Sequence, residues 1–100
     1  MFCGCTRLTN IIVPDNVSII GDCAFFGCSS LTNVEITNTL TDIGYFVFHS
    51  CKNLKSINYK GTMEEAIKCG IGDNSRSRWR DGSSLQKIIC LDGEITLFKK

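Results

Sequence analysis

Seven cysteines and one histidine are the residues of this 100-residue chain best equipped for chemistry. Thiolates ligate metals and act as nucleophiles, and an odd count leaves at least one outside any set of intrachain disulfides. Cys3-Gly4-Cys5 together with Cys23 is the nearest approach to a redox or metal set, although tetrahedral zinc wants clearer pairs of ligands. Cys69 and Cys90 could bridge in an oxidising compartment. His49 beside Ser50 and Cys51 can be drawn as a base with a nucleophile. Arg76-Ser77-Arg78-Trp79-Arg80 mixes charge with an aromatic ring, as single-strand nucleic-acid binders do, but with three charges only. Gly70-Ile71-Gly72 lacks the later glycine, the preceding strand and the lysine of a phosphate loop. Asn16-Val17-Ser18 is a glycosylation sequon, meaningful only where the source glycosylates secreted chains.

Spacing gives most of these residues a plainer role. Laid against itself at an offset of 23, the chain aligns Phe2, Phe25 and Phe48. The same offset aligns Cys5, Cys28 and Cys51, then Leu8, Leu31 and Leu54. Ile11, Val34 and Ile57 follow, and then Val13, Ile36 and Tyr59. Val17 with Leu40, and Ile20-Gly21 with Ile43-Gly44, fill two further columns in the first two copies. A cysteine that recurs with a core pattern packs as a small apolar side chain, and stacked thiols point in parallel and pair poorly. His49 falls in a variable column with Cys3 and Phe26, which favours a turn residue over a catalytic base.

The unit reads Phe-x-x-Cys-x-x-Leu-x-x-Ile-x-Val-x-x-x-Val-x-x-Ile-Gly. Its Leu-x-x-Ile-x-Val section alternates as a strand with one face in a core does. Pro14-Asp15-Asn16 breaks that strand, Val17 to Ile20 forms a second extended segment, and Gly21 and Gly44 allow a change of direction. Asp22 to Phe26 is expected to make one helical or 3₁₀ turn. A single coil cannot bury its own apolar side, whereas stacked coils exclude water jointly, with one strand per coil in a parallel sheet.

Ala24-Phe25-x-Gly27-Cys28-x-x-Leu31, preceded by Val13-Pro14-x-x-Val17-x-x-Ile20-Gly21, resembles the BspA-type leucine-rich repeat. The resemblance covers residues 2 to about 59 and departs at Thr37, Val47 and Ser50. It implies a leucine-rich-repeat solenoid of the α/β repeat class, with 23-residue coils, a short parallel sheet and a C-terminal helix-plus-hairpin cap. It also implies a cell-surface or secreted protein that binds a protein partner or a host surface component. After Tyr59 the period is expected to fail. Tyr59-x-Gly61-Thr62-x-x-Glu65 and Cys90-x-Asp92-Gly93-x-Ile95 look like the family's C-terminal cap. Thr62-Met63-Glu64-Glu65 matches a capping box for a helix to about Cys69, with Gly70 ending it. Residues 70–84 read as a polar loop anchored by Trp79. The segments around Leu91-Asp92-Gly93 read as a hairpin turning at Asp-Gly. One structural domain results, with repeats over 1–61 and the cap over 62–100.

No comparable cap precedes Phe2. Two readings follow: the chain is the C-terminal piece of a longer array, or a second chain covers the uncapped N-terminal coil, as in a homodimer. No apolar run approaches the roughly 20 residues of a membrane span, and no basic segment followed by an apolar stretch marks a secretory signal. Residues 1–50 set one arginine against four acidic residues (net −3), and residues 51–100 set ten basic against six (net +4). That asymmetry is too mild to imply nucleic acid or an anionic membrane. No metal set or cofactor motif emerges, and an enzyme is the least supported class.

The surface left for function is the outward side of the sheet. Its expected columns are Thr9/Thr32/Lys55, Asn10/Asn33/Ser56 and Ile12/Glu35/Asn58. A partner interface there, or a purely structural role closing a longer array, are the two functional expectations.

Overall fold

The computed structural model describes Gly4, residues 6–73 and residues 78–97. Its elements in chain order are β1 (Asn10–Ile12), β2 (Ile19–Ile20), β3 (Asn33–Thr37), β4 (Asp42–Ile43) and β5 (Ser56–Lys60). After these come α1 (Met63–Cys69), a 3₁₀ turn at Arg78–Arg80, β6 (Lys87–Cys90) and β7 (Gly93–Thr96). The main sheet runs β1-β3-β5-β6-β7, parallel across its first four strands and antiparallel at the last. A smaller parallel sheet pairs β2 with β4. The result is a mixed sheet with one short helix.

Side-chain alternation explains the strands. In β3 and β5 every second residue is buried, and Ile11 pairs with Val34 while Ile36 pairs with Tyr59, one repeat apart. A one-residue slip would turn these columns to solvent, so the burial of one face fixes the register. Pro14 accounts for the shortness of β1. Its carbonyl accepts from Val17 N at 3.1 Å and turns the chain, whereas Thr37 in the same column lets β3 run to five residues.

The expected helical turn over Asp22 to Phe26 is instead a run of tight turns. Cys23 and Phe46, one repeat apart, sit at φ 57° and 55°, which a right-handed turn cannot include. Gly4, Gly27 and Ser50 form a second left-handed column at φ 76°, 77° and 65°. The turns still bond from one repeat to the next. Cys23 N donates to Tyr45 O at 2.9 Å, Phe25 N to Val47 O at 3.0 Å, and Gly27 N to His49 O at 2.8 Å.

The period does not fail after Tyr59, as expected from the sequence; it lengthens once. Ser56 pairs with Lys87 and Ile57 with Ile88, an offset of 31 rather than 23. The same offset carries Leu54 to Leu85, Tyr59 to Cys90 and Phe48 to Trp79, so Leu85-x-x-Ile88-x-Cys90 is a fourth copy of the strand pattern. All four of these later residues are buried. Phe25 stacks on Phe48 with centroids 5.6 Å apart, and Trp79 meets Phe48 edge-on at 5.9 Å, which continues the aromatic column. Backbone bonds continue too: Phe48 N donates to Trp79 O at 3.3 Å and Ser50 N to Gly82 O at 3.0 Å. The eight extra residues accommodate α1.

That helix starts and stops for local reasons. Thr62 Oγ1 accepts from Glu65 N at 3.2 Å while Glu65 Oε1 accepts from Thr62 N at 2.9 Å, closing the capping box. Gly70 ends it at φ 102°. Ala66 and Cys69 face the core. The hairpin turn differs by one residue from the sequence expectation. Cys90 pairs with Gly93, so Leu91-Asp92 forms the two-residue loop and Gly93 opens β7. Asp92 is held there because its Oδ1 accepts from Met63 N at 2.8 Å, at the first turn of α1.

Gly21 and Gly44 occupy one column but meet different surroundings. A Cβ on Gly44 would lie 2.5 Å from the backbone N and 2.8 Å from the Cα of Asp22, while one on Gly21 would meet nothing within 4 Å. Gly44→Ala is therefore expected to cost about 1–3 kcal/mol, a drop of roughly 4–20 °C in Tm for a chain of this size. Gly21→Ala is expected to leave Tm within a few degrees. Thermal unfolding of the two variants side by side checks this, and equal losses would contradict the stacking described.

Candidate functional site

The outward face of the main sheet carries the columns expected from the sequence. Thr9, Asn10, Ile12, Thr32 and Lys55 are exposed, and Asn33, Glu35, Ser56 and Asn58 are half-buried between neighbouring strands. The face is wider than expected. Lys87 stands beside Ser56 and Ile89 beside Asn58, and β7 adds Thr96 and Glu94 as the next neighbours. These residues fall in no 23-residue column, yet the strand pattern around Ile88 would have exposed them had the period been allowed to lengthen.

Much of this face is paired with itself. Asn58 Nδ2 donates to Asn33 Oδ1 at 2.9 Å, and Thr32 Oγ1 donates to Thr9 O at 3.3 Å. Lys60 Nζ lies 3.8 Å from Glu35 Oε1, and Lys87 Nζ lies 3.4 Å from Glu94 Oε1. Ion pairs this exposed add little stability, so the effect of the mosaic is to hold donors and acceptors of both signs in fixed rows. Ile12 interrupts the polar rows with an aliphatic side chain 68% exposed.

The inward columns lie opposite. Phe25, Phe48, Cys28, Cys51, Leu31 and Leu54 are buried and Leu8 is half-buried; Phe2 and Cys5 lie outside the described residues. Cys23, Cys28, Cys51, Cys69 and Cys90 are free thiols. Of the tentative redox set, Cys3 and Cys5 also fall outside the described residues. Cys51 Sγ donates to Phe25 O at 3.2 Å, and burial pushes its thiol up to about 11. Burial likewise raises the Cys90 thiol, with the Asp92 charge adding to it. Cys69 Sγ lies 4.0 Å from the Tyr59 hydroxyl, and burial holds that phenol well above its ordinary range.

His49 Nδ1 does lie 3.0 Å from Ser50 Oγ, one of the two nucleophile–base pairings drawn from the sequence, while Cys51 Sγ is turned to Phe25 O. The surroundings of His49 are those of a packed turn. The His49 ring stacks on Phe26 at 4.7 Å, and Ser50 N and Cys51 N are spent on Gly82 O and Phe48 O, leaving neither to stabilise an oxyanion. Within the basic segment, Trp79 and Arg80 are buried, Arg78 stacks over Tyr45, and Arg76 and Ser77 lie outside the described residues. Among the described residues no cluster of His, Cys, Asp and Glu gathers to hold a metal, and no helix is long and apolar enough to cross a membrane.

A cavity of about 270 Å³ opens between the turn after β3 and α1. Leu40, Tyr59 and Cys69 form its wall, with Asn38, Thr41, Glu65 and Lys68 at its polar side. The Glu65 carboxyl is held below its usual range mainly by the Thr62 N–H, so its charge serves the helix cap.

Parallel strands that each begin two residues after an inward-column leucine, in register repeat upon repeat, define a leucine-rich-repeat protein. The family model described as the BspA type leucine rich repeat region (six copies) matches residues 1–69, and the chain belongs to that family. The Leu85-x-x-Ile88-x-Cys90 copy lies beyond the matched residues. No curated protein and no solved structure matches the chain. Repeats of this family are generally non-catalytic, usually mediate protein binding and are typical of surface proteins.

The thiol chemistry can be checked directly. At pH 8 folded Cys51 is expected to resist iodoacetamide, because roughly one molecule in a thousand carries its thiolate, and to react fully in denaturant. Its folded pKa exceeds the unfolded value of 9.0, so the stabilisation it contributes is complete below pH 9 and is lost as pH climbs towards 11. Rapid alkylation of Cys51 in the native protein, followed by mass spectrometry, would contradict its place in the core.

Proposed function

We propose that the chain is a non-catalytic leucine-rich-repeat scaffold for protein–protein interaction or adhesion, belonging to a larger cell-surface protein. The repeats form a solenoid, and residues 62–100 close it as one domain with the repeats. The partner is a protein or a host surface component, taken up on the outward columns Thr9/Thr32/Lys55, Asn10/Asn33/Ser56 and Ile12/Glu35/Asn58. The observation that carries this reading is that these side chains stand in register outside the core, with Asn58 fixed on Asn33 at 2.9 Å and Lys60 near Glu35 at 3.8 Å. Preordered polar rows lose little conformational freedom when a partner binds. A standard interface covers about 800 Å² per partner, which would occupy most of this face.

A second reading has its own observation. Leu8 and Val17 are half-exposed, whereas their equivalents Leu31 and Leu40 are buried. The first coil thus presents core-facing side chains that call for a cover, either a further coil of the same kind or a second copy forming a homodimer. On this reading the chain is a structural end-piece.

The test is adhesion of the bead-coupled protein to a panel of extracellular-matrix proteins and to intact epithelial cells. Glu35→Arg with Asn58→Arg is expected to lower adhesion about tenfold or more, the equivalent of 1.4 kcal/mol, without changing the far-UV circular dichroism. Unchanged adhesion would move the function off this face, and a parent protein that adheres to nothing in the panel would leave the end-piece reading standing.

A further inference from the structure

The cavity beside α1 exists because a helix stands where the repeat would place a strand. At the offset that pairs Ile19 with Asp42, the next partner of Asp42 would be Glu65, and Glu65 is helical. β4 therefore gains no third strand, and the space between the turn that leads into it and α1 is the cavity of about 270 Å³. Tyr59 brings to this space a polar atom that the core does not need. Val13 and Ile36 fill the same column with aliphatic side chains, whereas Tyr59 is only 2% exposed and its hydroxyl lies 4.0 Å from Cys69 Sγ. That thiol donates to Ala66 O at 3.3 Å, so among the described residues the phenolic O–H has only a distant sulfur as acceptor. Tyr59 and Cys69 both line the cavity, which puts an unspent donor on its wall. A buried donor is costly unless something accepts from it.

Opposite charges stand at the polar side of the same cavity. Glu65 accepts from Thr62 N at 2.9 Å through Oε1 and from Asn38 Nδ2 at 3.3 Å through Oε2, and each oxygen keeps a further lone pair. The ion pair of Lys68 with Glu64, at 3.6 Å, is exposed on both sides and weak, so the ammonium is free to turn towards a ligand. Gly61 lets the lining side chains converge. A Cβ there would lie 2.6 Å from Tyr59 Cε2, 2.9 Å from Asn38 Cβ and 3.0 Å from Glu65 Oε1.

We infer that this cavity binds a small apolar α-amino acid as its zwitterion. The ligand carboxylate accepts from the Tyr59 O–H with the Lys68 ammonium on its outer side, the ligand ammonium faces Glu65, and the aliphatic side chain lies against Leu40. The charges on the wall select this class. A carboxylate alone would meet Glu65 with like charge, and an amine alone would meet Lys68 and leave the phenol without its acceptor. Size agrees: at about 30 Å³ per water the cavity has room for about nine waters, roughly the bulk of leucine. Drug-sized ligands occupy pockets above about 300 Å³.

The cavity shares no residue with the outward columns of the sheet, so each proposal can fail alone. The test is a titration of the full chain with free L-leucine, followed by backbone amide NMR. Isocaproate, which lacks the ammonium, and isoamylamine, which lacks the carboxylate, are the two comparison ligands. Leucine is expected to shift the amides of Leu40, Thr41, Tyr59, Lys68 and Cys69 at millimolar concentration, and each comparison ligand to bind severalfold more weakly. Tyr59→Phe keeps the ring and is expected to weaken leucine at least about tenfold while Tm stays within a few degrees. Lys68→Gln, at an exposed position, is expected to weaken leucine severalfold without weakening isoamylamine, a split that a merely structural role would not produce. No shifts at millimolar leucine, equal binding of the three compounds, or unaltered leucine binding by Tyr59→Phe and Lys68→Gln would each overturn the proposal.

Discussion

Every other feature of this molecule depends on the stacking of like residues on like. One turn of the chain has an apolar inner side and no means of covering it, because its strand is three to five residues long. Burial comes from the neighbouring repeat. Leu31 lies beneath Leu8 and above Leu54, and Leu54 above Leu85, so each column excludes water only as a set. At roughly 1.5–3 kcal/mol for each fully buried large side chain, the columns outweigh any single hydrogen bond or surface ion pair in the structure. The same stacking sets the parallel register, aligns the turn-to-turn backbone bonds and fixes which residues face outward.

Function-bearing positions follow from what that constraint leaves free. Inward columns take apolar or thiol side chains of similar size, which is why Cys28 and Cys51 pack as core residues and Cys51 is held as a neutral thiol. Outward and turn positions are unconstrained by the core, and there the repeats diverge most: Ile12 becomes Glu35 and then Asn58, and Asp22-Cys23 becomes Tyr45-Phe46. Divergence among outward positions is what lets one scaffold present different chemistry along its length.

The sequence carried the repeat, the strand faces, the capping box at Thr62 and the helix end at Gly70, because each is encoded within a few residues. Three features were hidden for physical reasons. The fourth copy of the pattern escaped a fixed period because the stretch between Tyr59 and Trp79, which carries α1, is eight residues longer than its equivalents in the earlier repeats. Trp79 therefore looked like the anchor of a loop, when its ring continues the Phe25–Phe48 column. The turn at Cys23 looked helical because nothing local signals a left-handed cysteine; the bonds to Tyr45 and Val47 one repeat away impose it. The hairpin loop fell on Leu91-Asp92, one residue before the Asp-Gly pair, because Asp92 is tied to Met63 N on the neighbouring helix. The inner and outer assignment of Thr9 to Asn58 was legible from alternation, but the width of the face depends on β6 and was not.

Residues 78–90 thus behave as a further repeat bonded into the sheet, and the measurement that tests this most directly is native-state hydrogen exchange in increasing denaturant. Ile57, Tyr59, Ile88 and Cys90 amides are expected to share one opening free energy and one dependence on denaturant, since β5 and β6 open together. Exchange of Ile88 and Cys90 through a separate, lower-energy opening, with Ile57 and Tyr59 still protected, would mean that the hairpin is an independent appendage and that the stack ends at β5.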